Sequence, residues 1–196
     1  MFKLVRCGKN RNARKETRMK ISAYIATSLD GYIARENGAL DWLPGSAGAS
    51  DGEDYGYHEF MDTVDVLLLG RKTYEQVLSF GQWPYGEKRV IVWSRSAIQI
   101  PANLSEMVEY RSSAPAQLVD ELANAGVQHL YVDGGKTIQS FIQAGLMQQI
   151  IITTVPILIG KGICLFGSID QDIHLRHSKT IPFDNGFVQS WYDVLA

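Results

Sequence analysis

Residues 129–166 read HLYVDGGKTIQSFIQAGLMQQIIITTVPILIGKGICLF. Leu130–Val132 is a short apolar run, and Asp133-Gly134-Gly135-Lys136-Thr137 follows it directly. Ile138, Phe141 and Ile142 then recur at i, i+3 and i+4, the spacing of one helix face. Gly145 suits a left-handed helix stop, and the β-branched run QIIITTV at 149–155 reads as a buried strand. The order is strand, glycine pair, helix, strand and a glycine-rich exit. A glycine pair between a strand and a helix start lets backbone N–H groups come close to a phosphate at the positive end of the helix.

Upstream, Lys20–Thr27 carries Ile21, Ala23 and Ile25 on one face and Tyr24 on the other, which predicts a central strand covered on both sides. Asp30-Gly31 is a turn pair. Tyr57, Phe60, Met61 and Val64 predict a helix over Glu53–Val64, with Asp51 able to cap it and Asp54 in its first turn. Asp65–Gly70 is a buried strand that ends at a glycine, and Arg71-Lys72-Thr73 opens a helix bearing Tyr74, Val77 and Leu78. Arg89–Trp93 predicts a strand that ends at Ser94-Arg95-Ser96. Met107–Tyr110 predicts a short strand, and Pro115–Ala123 a helix stopped near Gly126. Downstream, Ile169–Thr180 and Gly186–Val194 flank the turn Asp184-Asn185-Gly186 and predict a closing hairpin. Together these predict one α/β domain with a mostly parallel central sheet and antiparallel C-terminal strands.

Composition agrees with that class. The 196 residues are 45% hydrophobic with a net charge of −2, which fits one domain with a substantial core. No window approaches the roughly 18–20 apolar residues of a membrane span, so no membrane partner is expected. Only Cys7 and Cys164 occur, which points to a reducing, cytoplasmic setting. Residues 1–18 hold seven Lys/Arg against Glu16, a charge of +6, and the remainder carries −8. This arm lacks an apolar periodicity and any aromatic after Phe2. It reads as a disordered extension, with Met19 as a natural start, and no nucleic-acid partner is expected from it. The domain proper is then 19–196.

Three strand ends carry the polar residues: Gly70-Arg71-Lys72-Thr73, Ser94-Arg95-Ser96 and Gly134-Gly135-Lys136-Thr137. Ligands of open α/β sheets bind at the carboxyl ends of strands. Two helix starts with Arg71, Lys72, Arg95 and Lys136 suit a pyrophosphate and one further phosphate, as in NADPH. The usual G-x-G-x-x-G fingerprint is absent, and so are the G-x-S-x-G and H-E-x-x-H patterns. His58, His129, His174 and His177 have no metal-ligand spacing, so no metal is expected. Asp54 and His58, at i and i+4, read as a surface pair.

Over about Lys20–Val194 the chain resembles the dihydrofolate reductase superfamily. The branch it resembles is that of the C-terminal reductase domain of the bifunctional riboflavin-biosynthesis deaminase/reductase. The segments that carry the resemblance are Thr27–Ala34, Gly70–Glu75, Val132–Thr137 with Phe141 and Gly145-Leu146, and Pro156–Gly162 ending at Leu165-Phe166. It implies a three-layer fold and hydride transfer from NADPH to a nitrogen heterocycle, as in 5-amino-6-(5-phosphoribosylamino)uracil reductase. Arg71, Lys72 and Thr73 would meet the adenosine-side phosphates, Ser94 and Arg95 the adenine ribose, and Gly134, Gly135, Lys136 and Thr137 the pyrophosphate. Ala26, Ile33 and Gly38 would line the nicotinamide side.

Asp54 falls where dihydrofolate reductases place their active-site carboxylate. Trp42 resembles the tryptophan of their mobile loop, Thr153 the hydroxyl beside the carboxylate, and Ile159 would close the substrate cleft. A homodimer is implied by the same analogy. The sequence departs from the family in having Glu87 or Lys88 where true dihydrofolate reductases clamp the folate tail with arginine, and it has no deaminase motif. Dihydrofolate reduction and a non-catalytic nucleotide-binding role stay open as alternatives.

Overall fold

The computed structural model describes residues 19–43 and 52–195. The basic arm, most of the small-residue loop and the Asp51 cap therefore lie outside the described residues. The expected strands form: β1 Lys20–Ser28, β3 Val66–Gly70, β4 Arg89–Trp93, β5 Val108–Arg111, β6 His129–Asp133, β7 Gln149–Val155, β9 Leu175–Pro182 and β10 Val188–Val194, with small shifts except in β9, which starts six residues later than the Ile169–Thr180 pattern predicts. Two short strands that periodicity did not announce, β2 Tyr32–Ala34 and β8 Ile163–Cys164, pair in a separate ribbon. The helices are α1 Tyr57–Asp62, α2 Arg71–Ser79, α3 Pro115–Asn124 and α4 Gly135–Gln143.

The main sheet runs β5-β4-β3-β6-β1-β7-β10-β9. Its first six strands are parallel, while β10 runs antiparallel to β7 and β9 antiparallel to β10. One face packs Ile21, Ala23, Leu68 and Val132 against Leu118 and Leu122 of α3 and Ile138 and Phe141 of α4. The other packs Leu67, Leu69, Val92 and Tyr131 against Phe60 and Met61 of α1 and Tyr74 and Val77 of α2. Helices on both faces of the sheet make the expected three-layer α/β domain, because strands apolar on both sides must be covered on both sides.

Helix α4 ends as its glycine demands. Gly145 has φ 66°, its N–H donates to Ile142, and Leu146 donates to Phe141, a Schellman closure. Helix α1 is shorter than the periodicity predicts, starting four residues late and ending two early. Tyr55 and Gly56 are both left-handed, at φ 56° and 81°, so the chain cannot be helical before Tyr57.

Candidate functional site

All parallel strands present their carboxyl ends along one edge of the sheet. In the middle of that edge β4, β3 and β6 lie side by side, with Gly70 opposite Trp93 and Leu69 opposite Asp133. The three polar junctions, separated by up to 67 positions of sequence, are thus neighbours. The two glycine junctions also interlock. A Cβ on Gly70 would run into the Thr137 hydroxyl, and a Cβ on Gly134, which has φ 99°, into the Thr73 hydroxyl. Each helix start reaches across the glycine of the other. Neither α2 nor α4 has a side-chain cap, so no capping side chain takes up the first N–H groups of either helix.

The predicted cofactor residues distribute around this edge. Arg71, Lys72, Arg95 and Lys136 are exposed, and Arg71 lies 3.7 Å from Glu75. The Ser94 hydroxyl donates to the Ser96 carbonyl and turns the chain back at the end of β4. Ile33 packs its Cδ1 on Gly135, and Gly38, at φ 87°, lies against Gln76 of α2. Ala26 is paired with Thr153 on the neighbouring strand. A pyrophosphate-bearing group fits the donor set: two uncapped helix starts, two threonine hydroxyls and flanking cations.

On the other side of β1, Asp30 ties two loops together. It accepts from the Ser28 hydroxyl at 2.5 Å and from the Ile159 and Gly160 N–H groups at 3.3 and 2.8 Å. These bonds hold its carboxyl below the usual carboxylate range. The Pro156–Gly162 segment is thereby fastened over the ends of β1 and β7. Trp42 is buried with Val155 and Phe187, and Leu43, Tyr55 and Ile159 pack on that cluster. The Trp42 indole N–H is buried without a partner among the described residues. Trp42 and Ile159 thus share one apolar cluster.

Thr153 is tied to the C-terminal hairpin. Its hydroxyl accepts from Gln189 Nε2 at 2.8 Å, and the same amide nitrogen donates to the Tyr24 hydroxyl at 2.7 Å. Tyr24 in turn donates to the Tyr55 carbonyl. Gln189 enters from the antiparallel hairpin, which no local pattern placed near Thr153. Lys88 is likewise used internally, donating to the Val64 carbonyl at 2.9 Å.

Asp54 stands three residues before α1 rather than in its first turn. Its carboxylate accepts from the Gly56 and His58 N–H groups at 2.9 and 3.0 Å and meets His58 Nδ1 at 2.5 Å. These hydrogen bonds pull its pKa down to about 2. The expected surface pair with His58 therefore forms, and the group is ionised at neutral pH. A depressed carboxyl pKa stabilises the fold above the unfolded-state value and loses that contribution as pH falls through the folded value. We therefore expect the destabilisation caused by Asp54→Ala to be present at neutral pH, to shrink below about pH 4 and to be mostly lost by about pH 2. Urea unfolding of both proteins across that range checks this, and a difference that persists unchanged at pH 2 would contradict it.

Sequence reading assigned Asp133 no role. It ends β6 at the centre of the edge and accepts from the Gly134 N–H at 2.7 Å. Burial raises its pKa to about 6. The available signal was a carboxylate set directly after an apolar strand and before a glycine pair. His129, by contrast, is structural: it bridges Ser22 and Thr63 in the core, and burial lowers its pKa. Among the described residues no cluster of His, Cys, Asp and Glu could hold a metal ion, and no helix is long and apolar enough to cross a membrane. A surface hollow of about 570 Å³ lies beside α4, lined in part by Lys136, Gln139 and Cys164.

Comparison with known proteins agrees with this geometry. The RibD C-terminal domain family matches residues 19–189. The uncharacterized protein YwjB of Bacillus subtilis (strain 168) is 32% identical over 166 residues, covering 84% of this chain and 92% of its own. The crystal structure of a putative riboflavin biosynthesis protein from Shewanella sp. PV-4 superposes with a TM-score of 0.84 at 36% identity, covering 91% of this chain and all of the other. Dihydrofolate reductase from Enterococcus faecalis, complexed with NADP(H), shares the fold at a TM-score of 0.61 and 16% identity, covering 91% and 98%. With its matched span, its parallel edge and its interlocked glycine junctions, the chain belongs to the RibD C-terminal domain family, a family of reductase domains on a dihydrofolate-reductase-like fold.

Proposed function

We propose that the chain is an NADPH-dependent reductase that delivers hydride to a nitrogen-heterocycle substrate of the class of 5-amino-6-(5-phosphoribosylamino)uracil. The observation that carries this is the pair of uncapped helix starts crossing over Gly70 and Gly134. In this reading Gly134, Gly135, Lys136 and Thr137 hold the pyrophosphate and Arg71, Lys72 and Thr73 the adenosine-side phosphates. Ser94 and Arg95 flank the ribose, and Ala26, Ile33 and Gly38 line the nicotinamide. The bound cofactor supplies the hydride. The protein binds, orients and excludes water. Trp42, Ile159 and Thr153 border the acceptor, and Asp54, as an ionised carboxylate, accepts from an N–H of its ring.

Dihydrofolate is the second acceptor to test, favoured by the likeness to the Enterococcus enzyme. Against it, Lys88 is committed to the Val64 carbonyl. A cytoplasmic homodimer is part of the proposal. It is supported by β9, an edge strand exposed along nearly its whole length, which offers an unpaired ladder to a second copy.

Fluorescence titration of the purified protein tests the cofactor. NADPH is expected to bind at least about tenfold more tightly than NADH, and Arg95→Ala to narrow that gap by removing a phosphate partner. Absence of NADPH binding sinks the proposal. Turnover of the ribosylamino-uracil and of dihydrofolate, run side by side, separates the two acceptors.

A further inference from the structure

We infer that the tip of the C-terminal hairpin, residues 183–189, is a positioning element. It grips the ring, the hydroxyl and, through Tyr24, the carbonyl of Tyr55, and so fixes where the Asp54 carboxylate stands. The inference rests on the reductase reading above, in which Asp54 meets the ring of the acceptor, and it assigns the residues that place that group.

Backbone strain marks the spot. Tyr55, at φ 56°, is the only residue other than glycine with a positive φ among the described residues. A bulky side chain enters that region only where its surroundings impose it, and such residues gather at functional sites. The strain has a local consequence. Asp54 lies just before Tyr55, and its carboxylate accepts from the Gly56 and His58 N–H groups just after it, at 2.9 and 3.0 Å. The Asp54 carbonyl accepts from the Tyr57 N–H at 2.9 Å across the same turn. Those N–H groups face Asp54 only while the chain doubles back at Tyr55.

The grip on Tyr55 comes from far along the chain. Its ring stacks on Phe187, with centroids 5.3 Å and planes 16° apart, and meets Phe183 edge-on at 4.9 Å. Its hydroxyl accepts from Asn185 Nδ2 at 2.7 Å. Its carbonyl accepts from the Tyr24 hydroxyl at 2.6 Å. Tyr24 uses its one hydrogen there, so it accepts from Gln189 Nε2, 2.7 Å away. The other hydrogen of that amide goes to the Thr153 hydroxyl at 2.8 Å. Thr153, which borders the acceptor in the same reading, thus keeps its own hydrogen for another partner.

The tip is itself braced. The Phe183 N–H donates to the Phe187 carbonyl at 2.9 Å and the Phe187 N–H to Asn185 Oδ1 at 3.1 Å, while Phe187 is buried with Trp42 and Val155. That apolar packing alone would anchor the hairpin. Gln189, 1% exposed, adds a buried relay of hydrogen bonds that ends on the carbonyl of one strained residue. Burying polar groups is worthwhile only where they are fully paired, and what this pairing holds is the turn that carries Asp54.

Tyr24→Phe compared with Tyr131→Phe tests this on the full chain. Both rings pack on Phe60, but the Tyr131 hydroxyl donates to the Tyr24 carbonyl, at 2.9 Å, and not to the Tyr55 turn. Tyr24→Phe is expected to speed hydrogen exchange at the Gly56 and His58 amides by at least about tenfold, and Tyr131→Phe to leave it within about twofold of wild type. Asn185→Ala, in the exposed turn, is expected to speed the same two amides without disturbing the core. In turnover with NADPH of the ribosylamino-uracil or of dihydrofolate, whichever the wild type reduces, Tyr24→Phe is expected to lower kcat about tenfold and to leave the KM for NADPH unchanged. The inference is overturned if both amides exchange at the wild-type rate in Tyr24→Phe and Asn185→Ala, if Tyr131→Phe speeds them as much, or if they exchange faster while kcat is unchanged. Turnover of neither acceptor by the wild type refutes the reductase reading, while faster exchange confined to Tyr24→Phe and Asn185→Ala upholds the hold on Asp54.

Discussion

Gly134→Val is expected to abolish NADPH binding while leaving most of the sheet folded. Gly134 sits at φ 99° and ψ 130°, a region that side chains with a Cβ reach only at a cost of about 1–3 kcal/mol. Its missing Cβ is also where the Thr73 hydroxyl lies. A valine must therefore rotate the peptide entering α4, push Thr73 and α2 away, or both. Either response misaligns the N–H groups that face the phosphates. Because 1.4 kcal/mol corresponds to a tenfold change in affinity, strain of this size added to lost contacts predicts a fall of at least about a hundredfold. The second variant Gly134→Ala/Thr73→Ala removes the collision but not the unfavourable φ, and it should recover part of the loss. Equal NADPH affinity in wild type and Gly134→Val would remove this glycine from the site.

Phe141→Ala is expected to lower stability by about 3–5 kcal/mol, the usual cost of emptying an aromatic core position. For a domain of this size that is a fall in Tm on the order of 10 °C. Phe141 is 0% exposed and packs α4 against the sheet, with Trp93 at 6.1 Å between ring centroids. It thus joins the helix that carries Gly135 and Thr137 to β4, the strand that leads into Ser94. Leu118 of α3 is equally buried but supports no residue of the edge. Leu118→Ala should cost a comparable 2–5 kcal/mol and leave NADPH affinity close to wild type, whereas Phe141→Ala should weaken both. Thermal melts paired with NADPH titrations check the contrast. Equal affinity losses in the two variants would mean that α4 docking does not set the site.

Much of the molecule follows from local pattern. Apolar runs such as Leu67–Leu69 and Val90–Val92, the i, i+3, i+4 stripe of Ile138, Phe141 and Ile142, and the Asp184-Asn185-Gly186 turn act over a few residues, so their elements are legible from the chain alone. Helix α1 was overextended because its apolar stripe says nothing about the left-handed Tyr55 and Gly56 that delay its start.

The candidate site divides in the same way. That Gly70–Thr73, Ser94-Arg95 and Gly134–Thr137 sit at strand ends is written in the sequence. That they share one edge depends on the order β4-β3-β6, which no local signal specifies. The crossing of Thr73 over Gly134 and of Thr137 over Gly70 and the reach of Gln189 to Tyr24 and Thr153 join residues far apart in the chain. The opposite electrostatic settings of Asp54 and Asp133 belong to the same class. A carboxyl pKa is set by the donors and the burial around it, and only the folded chain brings those into place.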